Sequence, residues 1–241
     1  MKQYNLTYFP INQHSLIIQW PKMIDKEILD DIISFKFILE NTYDLVFCQN
    51  SYQEILLEFK KPIQNFEEIN QNLQLLYSKN NRQKNTKSRI HIPVCYDPEF
   101  GLDLIQLSYN LGISSQELIQ IHTEKTYTLF SLGFLPGFMY LGGLDQRLHF
   151  PRKENPRQTV PKGAVGIGGS QTGIYPQESP GGWQIIGNSP LNLFNINQNP
   201  PVVAKPGDEI RFFPISKNEF ELIQIQSAAG IYPLKKEVIP C

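Results

Sequence analysis

The chain has 241 residues, enough for one large domain or two modest ones that each bury a core. A hydrophobic share of 41%, a charged share of 19% and a formal charge of -1, from 22 basic and 23 acidic residues, describe an ordinary globular composition. That balance removes any electrostatic drive toward nucleic acid or an anionic membrane surface.

The opening Met1-Lys2-Gln3-Tyr4-Asn5 lacks the apolar core of a secretory signal. Asn5 to Phe9 and Ser15 to Trp20 read as short strands joined by a turn around Pro10-Ile11-Asn12. From Ile24 to Leu39 the positions Ile24, Ile28, Leu29, Ile32, Ile33 and Phe35 follow a helical rhythm, with Asp25 and Glu27 in the first turn, where the helix dipole favours acids. Asp44 to Cys48 and Glu54 to Phe59 read as strands around Gln49-Asn50-Ser51. A second helix is expected from about Phe66 to Tyr77, with Phe66, Ile69, Leu73 and Leu76 on one face. The polar, cation-bearing stretch from Ser78 to Ser88 reads as an exposed linker, because a charge run without interleaved aromatics is a solvated connector before it is a nucleic-acid patch. It separates an N-terminal α+β domain over 1–88, linker included, from a second domain over 89–241.

In that second domain Arg89 to Tyr96 reads as a strand and Leu102 to Leu111 as a helix. Ser114 and Glu117 fit a capping box for a helix carrying Leu118, Ile119 and Ile121 and ending near His122. Tyr127 to Phe134 reads as a strand. Helical periodicity then disappears, and Ala164 to Ile167, Trp183 to Gly187, Leu191 to Phe194, Ile210 to Phe213 and Phe220 to Ile225 are expected as short strands bounded by turn residues, the pattern of a closed or nearly closed β-barrel. No apolar run approaches the ~20 residues needed to cross a bilayer. Cys48, Cys95 and Cys241 are odd in number and form no Cys-x-x-Cys pair, so a reducing, cytoplasmic setting with buried structural cysteines is expected.

Function is expected in the Gly/Pro-rich stretch from Phe130 to Phe194. Glycine permits positive φ and close approach to backbone N–H groups, and proline stiffens the intervening loops, so the combination can build a rigid, concave site; a tight barrel also needs many turns. Arg152, Lys153, Arg157 and Lys162 are bunched between prolines with only Glu154 opposing them nearby. They could hold a phosphate or a carboxylate, or be solvated surface charge. The glycines from Gly163 to Gly173 lack the Gly-Lys-Ser/Thr ending of a Walker A loop and do not open a helix after a strand, so both nucleotide fingerprints fail. The four histidines form no His-x-x-x-His pair, which argues against a metalloenzyme. His122 is a candidate catalytic proton carrier or a helix-end cap. Glu178 is the carboxylate of the glycine-rich segment, a candidate base or metal ligand, or the partner of a nearby cation. Ser170 and Ser179 have no Gly-x-Ser-x-Gly setting, so serine hydrolysis is not expected.

Gly133-Phe134-Leu135-Pro136-Gly137-Phe138 with Tyr140-Leu141-Gly142-Gly143-Leu144, then Gln171 to Pro176 and Ser179-Pro180-Gly181-Gly182-Trp183, resemble a known family in several blocks and in order. It is the family of the B subunit of prokaryotic 5-oxoprolinase, also called the kinase-A-inhibitor or allophanate hydrolase subunit 1 family. The resemblance implies an α+β fold class, an N-terminal α/β sandwich-type domain followed by a cyclophilin-like β-barrel. It implies a C subunit and an A subunit as partners, 5-oxoproline as substrate, ATP as co-substrate with Mg2+ as an accompanying ion, and opening of the lactam to L-glutamate. Arg152, Lys153, Arg157 and Lys162 would then stabilise phosphate charge, and Gln171, Thr172, Tyr175, Ser179 and Trp183 would line the site. On that expectation, replacing Arg152 or Arg157 by alanine slows the complex without unfolding it. A regulatory role, inhibition of a histidine kinase, is attached to some relatives of the same fold.

Overall fold

Alternation of apolar and polar side chains organises the first ordered segment. In the strands Ser15–Gln19 and Glu54–Phe59 (β2 and β4), Leu16, Ile18, Ile55, Leu57 and Phe59 all turn to one face, the period-two pattern of a half-buried sheet. With β1 (Thr7–Asn12) and β3 (Leu45–Asn50) they make a four-stranded antiparallel sheet in the order β1-β2-β4-β3. Two helices, α1 (Lys26–Thr42) and α2 (Phe66–Ser78), pack their apolar stripes on that face through Ile28, Ile32, Phe35, Leu39, Leu73 and Tyr77. Each helix starts at a side-chain cap: Asp25 accepts from the Glu27 N–H, and Asn65 from those of Glu67 and Glu68. The buried Asp31 accepts from Trp20 Nε1–H at 2.7 Å and from the Tyr77 hydroxyl at 2.6 Å.

The structure, a computed structural model, describes residues 3–80 and 86–239, and the chain divides between residues 85 and 86 into two compact units. The central part of the linker expected over Ser78 to Ser88, residues 81–85, lies outside the described residues, as does Cys241. Lys87 and Ser88 already belong to a strand.

The second unit is a closed barrel. Its strands are β5 (Lys87–Cys95), β6 (Thr126–Leu132), β7 (Met139–Gly142), β9 (Ala164–Gly168), β10 (Gln171–Ile174), β12 (Gln184–Asn188) and β13 (Glu209–Ile215), running β12-β9-β10-β7-β6-β13-β5. Closure is made where Asn188 of β12 meets Cys95 of β5. β5 and β13 lie parallel and the other barrel pairings are antiparallel. β14 (Lys236–Ile239) adds to β5 from outside, and β8 (Arg157–Val160) with β11 (Ser179–Gly181) forms a separate two-stranded ribbon. Ile90, Ile92, Val94, Leu129, Leu141, Val165, Ile167 and Phe212 fill the interior. α3 (Leu104–Leu111) ends at Gly112, which takes the left-handed conformation that glycine permits there. In α4 (Ser115–Glu124) Leu118, Ile121 and His122 face the barrel core, and Ser114 accepts from the Glu117 N–H as the capping signal requires.

The α+β architecture with a terminal barrel thus stands as the sequence implied, with local corrections. The first hairpin does not turn at Pro10-Ile11-Asn12: β1 runs through Asn12, and the chain turns at Gln13-His14, with the His14 N–H donating to Asn12 Oδ1 at 2.7 Å. Pro10 is tolerated because β1 is an edge strand and needs no outward N–H. Phe220 to Ile225, expected as a strand, lies inside helix α5 (Lys217–Ala228). Its Ser216 and Glu219 form a reciprocal capping box, a helix-start signal that outweighs the turn-rich context. Leu191 to Phe194 is no strand; only an isolated bridge joins Phe194 to Val202. Cys48 and Cys95 are free and buried. No helix among the described residues is long and apolar enough to cross a membrane.

Candidate functional site

Trp183 precedes β12 and packs against the backbone of Gly168, where an added Cβ would come within 2.8 Å of the indole ring. Phe138 meets it edge-on at 5.4 Å between centroids, Tyr140 at 6.0 Å, and Phe138 in turn meets Tyr175 at 5.0 Å. This aromatic cluster, with Val160, Ala164 and Ile185, forms a small core of its own beside the β8–β11 ribbon. At its edge the loop after β6 exposes Phe134, 63% accessible, at φ 64°. The left-handed region is costly for a bulky side chain and is retained where the surroundings demand it.

The cations gather over this cluster. Arg152 lies over the Trp183 ring, its guanidinium carbon 5.3 Å from the centroid. Arg157 is bound end-on to Asp103, Nη1 to Oδ2 at 2.8 Å and Nη2 to Oδ1 at 2.6 Å, and Lys153 Nζ reaches the same Oδ1 at 2.8 Å. The Ile185 N–H adds a further bond to Oδ2 at 2.7 Å. Burial pushes the Asp103 carboxyl upward in pKa, but the hydrogen bonds from Arg157, Lys153 and Ile185 outweigh it and hold the group below the ordinary carboxylate value. Asp103 therefore stays ionised and ties the start of α3 to the ribbon and to β12.

The carboxylate opposing the cations is thus Asp103, not Glu154, and sequence reasoning missed it. A lone acid between Leu102 and Leu104, just before a helix, was the available signal. For Arg157→Ala the same contacts add an expected cost in stability to the slower turnover: the buried Asp103 carboxylate would keep Lys153 and the Ile185 N–H but lose its two-pronged partner. Lys162 stands apart, exposed, with Nζ on Asn192 Oδ1 at 2.9 Å.

His122 is completely buried, and burial pushes its pKa down to about 3, so the ring is neutral. The Thr172 hydroxyl donates to the Gly166 carbonyl at 2.9 Å and so accepts from His122 Nε2–H at 3.0 Å; the Tyr96 hydroxyl then donates to Nδ1 at 2.9 Å. The ring stacks on Phe212 at 4.7 Å. With both nitrogens used and no exposed surface, His122 braces the barrel core and presents no proton to a substrate in this structure, which corrects its candidacy as a catalytic group. Thr172 belongs to the same buried chain and does not line the cation cluster. Glu178 is exposed in the turn before β11 and makes no ion pair among the described residues. Tyr175 is buried beside the ribbon and Ser179 is buried at the start of its strand β11, while Gln171 is half-buried at the start of β10. The structure therefore brings together Arg152, Lys153, Arg157, Tyr175 and Trp183, and leaves His122, Thr172 and Lys162 elsewhere.

Such a cluster can offer a cation on an aromatic platform to an oxyanion. Among the described residues no group of three or more His, Cys, Asp or Glu is placed to hold a metal ion.

The family model for the carboxyltransferase domain, subdomains C and D, matches residues 6–204. A Haemophilus influenzae protein named as the B subunit of 5-oxoprolinase is 36% identical over 203 residues, 84% of this chain and 95% of that one. The Bacillus subtilis protein of the same name is 46% identical over 138 residues, 57% of this chain, and the match spans only 58% of that relative's length. The crystal structure of Kluyveromyces lactis urea amidolyase superposes on 98% of this chain and 16% of that one with a TM-score of 0.82; at 18% identity the likeness is one of fold.

Proposed function

We propose that this chain, which belongs to the carboxyltransferase-domain family of subdomains C and D and within it to the B subunits of 5-oxoprolinase, is one component of an ATP-dependent amide-opening hydrolase. The specific reading is a 5-oxoprolinase in which the chain acts with a C subunit and an A subunit to convert 5-oxoproline to L-glutamate. The observation that carries it is the match to a 5-oxoprolinase component over 95% of that protein's length.

The chemistry asks for what the cluster offers. A lactam is a resonance-stabilised amide, and transfer of a phosphoryl group from ATP to its oxygen would leave the carbonyl carbon open to water. Substrate carboxylate and phosphate alike are oxyanions, and a guanidinium on a pinned loop meets them with little reorganisation. The Trp183 ring, itself packed edge-on against Tyr140, gives the Arg152 guanidinium an apolar backing. In this reading the chain binds and orients, and the groups that complete the reaction come from the partner subunits.

The test is a coupled ADP-release assay with 5-oxoproline, run with the A and C subunits in the presence and absence of this chain. ADP release that depends on 5-oxoproline is expected only with all three together. Turnover by the isolated chain, or equal turnover without it, would contradict the shared-site reading.

A further inference from the structure

Arg152, Lys153 and Arg157 look alike in sequence but are committed differently. Both terminal nitrogens of Arg157 are spent on Asp103, the two-pronged contact that an incoming carboxylate would itself need. Lys153 is held by the same carboxylate. Arg152 has no carboxylate partner among the described residues; it is exposed and rests on Trp183.

The backbone on either side of Arg152 is pinned. The Phe150 and Gly169 peptides exchange hydrogen bonds at 3.1 and 2.7 Å. The Pro151 carbonyl accepts from Gln184 Nε2 at 3.1 Å, and the Lys153 N–H donates to the Gly182 carbonyl at 2.7 Å. Asp103 completes the frame from below, with its side chain only 6% accessible and four donors on its two oxygens.

Resting on the reading of the chain as a subunit that handles an anionic substrate, we propose that Asp103 is a positioning residue: by holding Arg157 and Lys153 it fixes the loop 151–157 so that Arg152, carried on Trp183, is the group that meets an oxyanion, carboxylate or phosphate. Charge alone predicts the opposite consequence for Asp103. Removing a negative group beside three cations should tighten anion binding, whereas removing a positioning group should weaken it.

Trp20 and Trp183 are the two tryptophans of the chain, so a Trp20→Phe background makes the fluorescence a report on Trp183. The full chain is titrated with inorganic phosphate and, separately, with 5-oxoproline, at matched ionic strength. A saturable change is expected, and the two arms tell phosphate from carboxylate. Arg152→Gln should weaken binding at least about tenfold, the scale of one lost charge-assisted contact. Asp103→Asn should weaken it as well, with partial recovery in Asp103→Glu.

Lys162→Gln removes a cation that stands outside the cluster and should stay within about threefold of the parent. Lys153→Gln, which leaves the Asp103–Arg157 pair, should weaken binding less than Arg152→Gln does and keeps the question open to test even where Asp103→Asn does not fold. Tighter binding in Asp103→Asn, equal losses in Arg152→Gln and Lys153→Gln, or no saturable response to either anion overturns the assignment. An anion response in a chain that supports no ADP release in the reconstituted complex leaves this assignment standing and removes the 5-oxoprolinase reading. An active complex indifferent to Arg152→Gln does the reverse.

Discussion

Replacing Gly163 by alanine is expected to destabilise the barrel unit by about 3–5 kcal/mol, adding a left-handed backbone penalty to an overpacked site. Gly163 sits at φ 81°, and an added Cβ would lie 2.2 Å from the Ser189 carbonyl oxygen and 2.4 Å from Asn188 Oδ1. The carbonyl cannot swing away freely, because the Ser189 N–H donates to the Gly163 carbonyl and the Gly163 N–H donates to the Tyr175 carbonyl, each at 2.8 Å. Gly169→Ala is the matched control: its φ is 67°, with nothing within 4 Å of the added carbon, so only the backbone term of about 1–2 kcal/mol applies. Thermal melts followed through Trp183 in the Trp20→Phe background should separate the two variants by at least about 5 °C, given the usual conversion for domains of this size. Equal melting temperatures would show that the Ser189 turn yields to the methyl group.

A second large effect concerns His122 and acid. The ring's ordinary value is 6.5 and burial takes it to about 3. Between those limits the unfolded chain binds a proton that the folded one refuses, so stability is fully present above about pH 6.5 and is lost as pH falls toward 3. The slope contributed by one such group is at most about 1.4 kcal/mol per pH unit. The rings packed around it, Tyr96, Tyr127 and Phe212, carry no charge that could offset the proton. Asp103 acts in the same direction lower down: its depressed carboxyl contributes stability above its unfolded value of about 4 that is lost as pH falls through the folded one.

His122→Phe is expected to lose about 1–3 kcal/mol at neutral pH, because the Tyr96 hydroxyl is left buried without its acceptor. From about pH 6.5 to about pH 4.5 the variant should hold nearly constant stability while the parent falls by about 2–3 kcal/mol. Urea denaturation across that range, read through Trp183, checks both. Parallel pH profiles would mean that His122 is protonated in the folded chain, and the neutral hydrogen-bonded chain from Tyr96 to Gly166 would have to be abandoned.

These contacts show why the sequence is legible in parts. Helices α1, α2 and α4 can be read because their apolar spacing and their caps at Asp25, Asn65 and Ser114 are local signals. Helix α5 escapes such a reading although Ser216 and Glu219 spell its start, because its outward Leu222 and Ile225 blur the periodicity. The glycine-rich blocks point to the right region, and Arg152, Arg157 and Trp183 do meet there.

What local spacing cannot express is which partner a side chain finds across the barrel. Asp103 and Arg157 are 54 positions apart, and His122 and Thr172 are 50 apart. The order of residues was enough for the alternation of α1, α2 and the first sheet, the change to short strands after β6, the concentration of glycine and cation between Phe130 and Phe194, and the family. It took closure of the barrel to make Asp103 pair with two of those cations, to leave Arg152 facing solvent on Trp183, and to seal His122 inside as a neutral brace. The physical reason is that charge and burial depend on distance in space, and a closed sheet brings together strands whose order in the chain gives no hint of their neighbours.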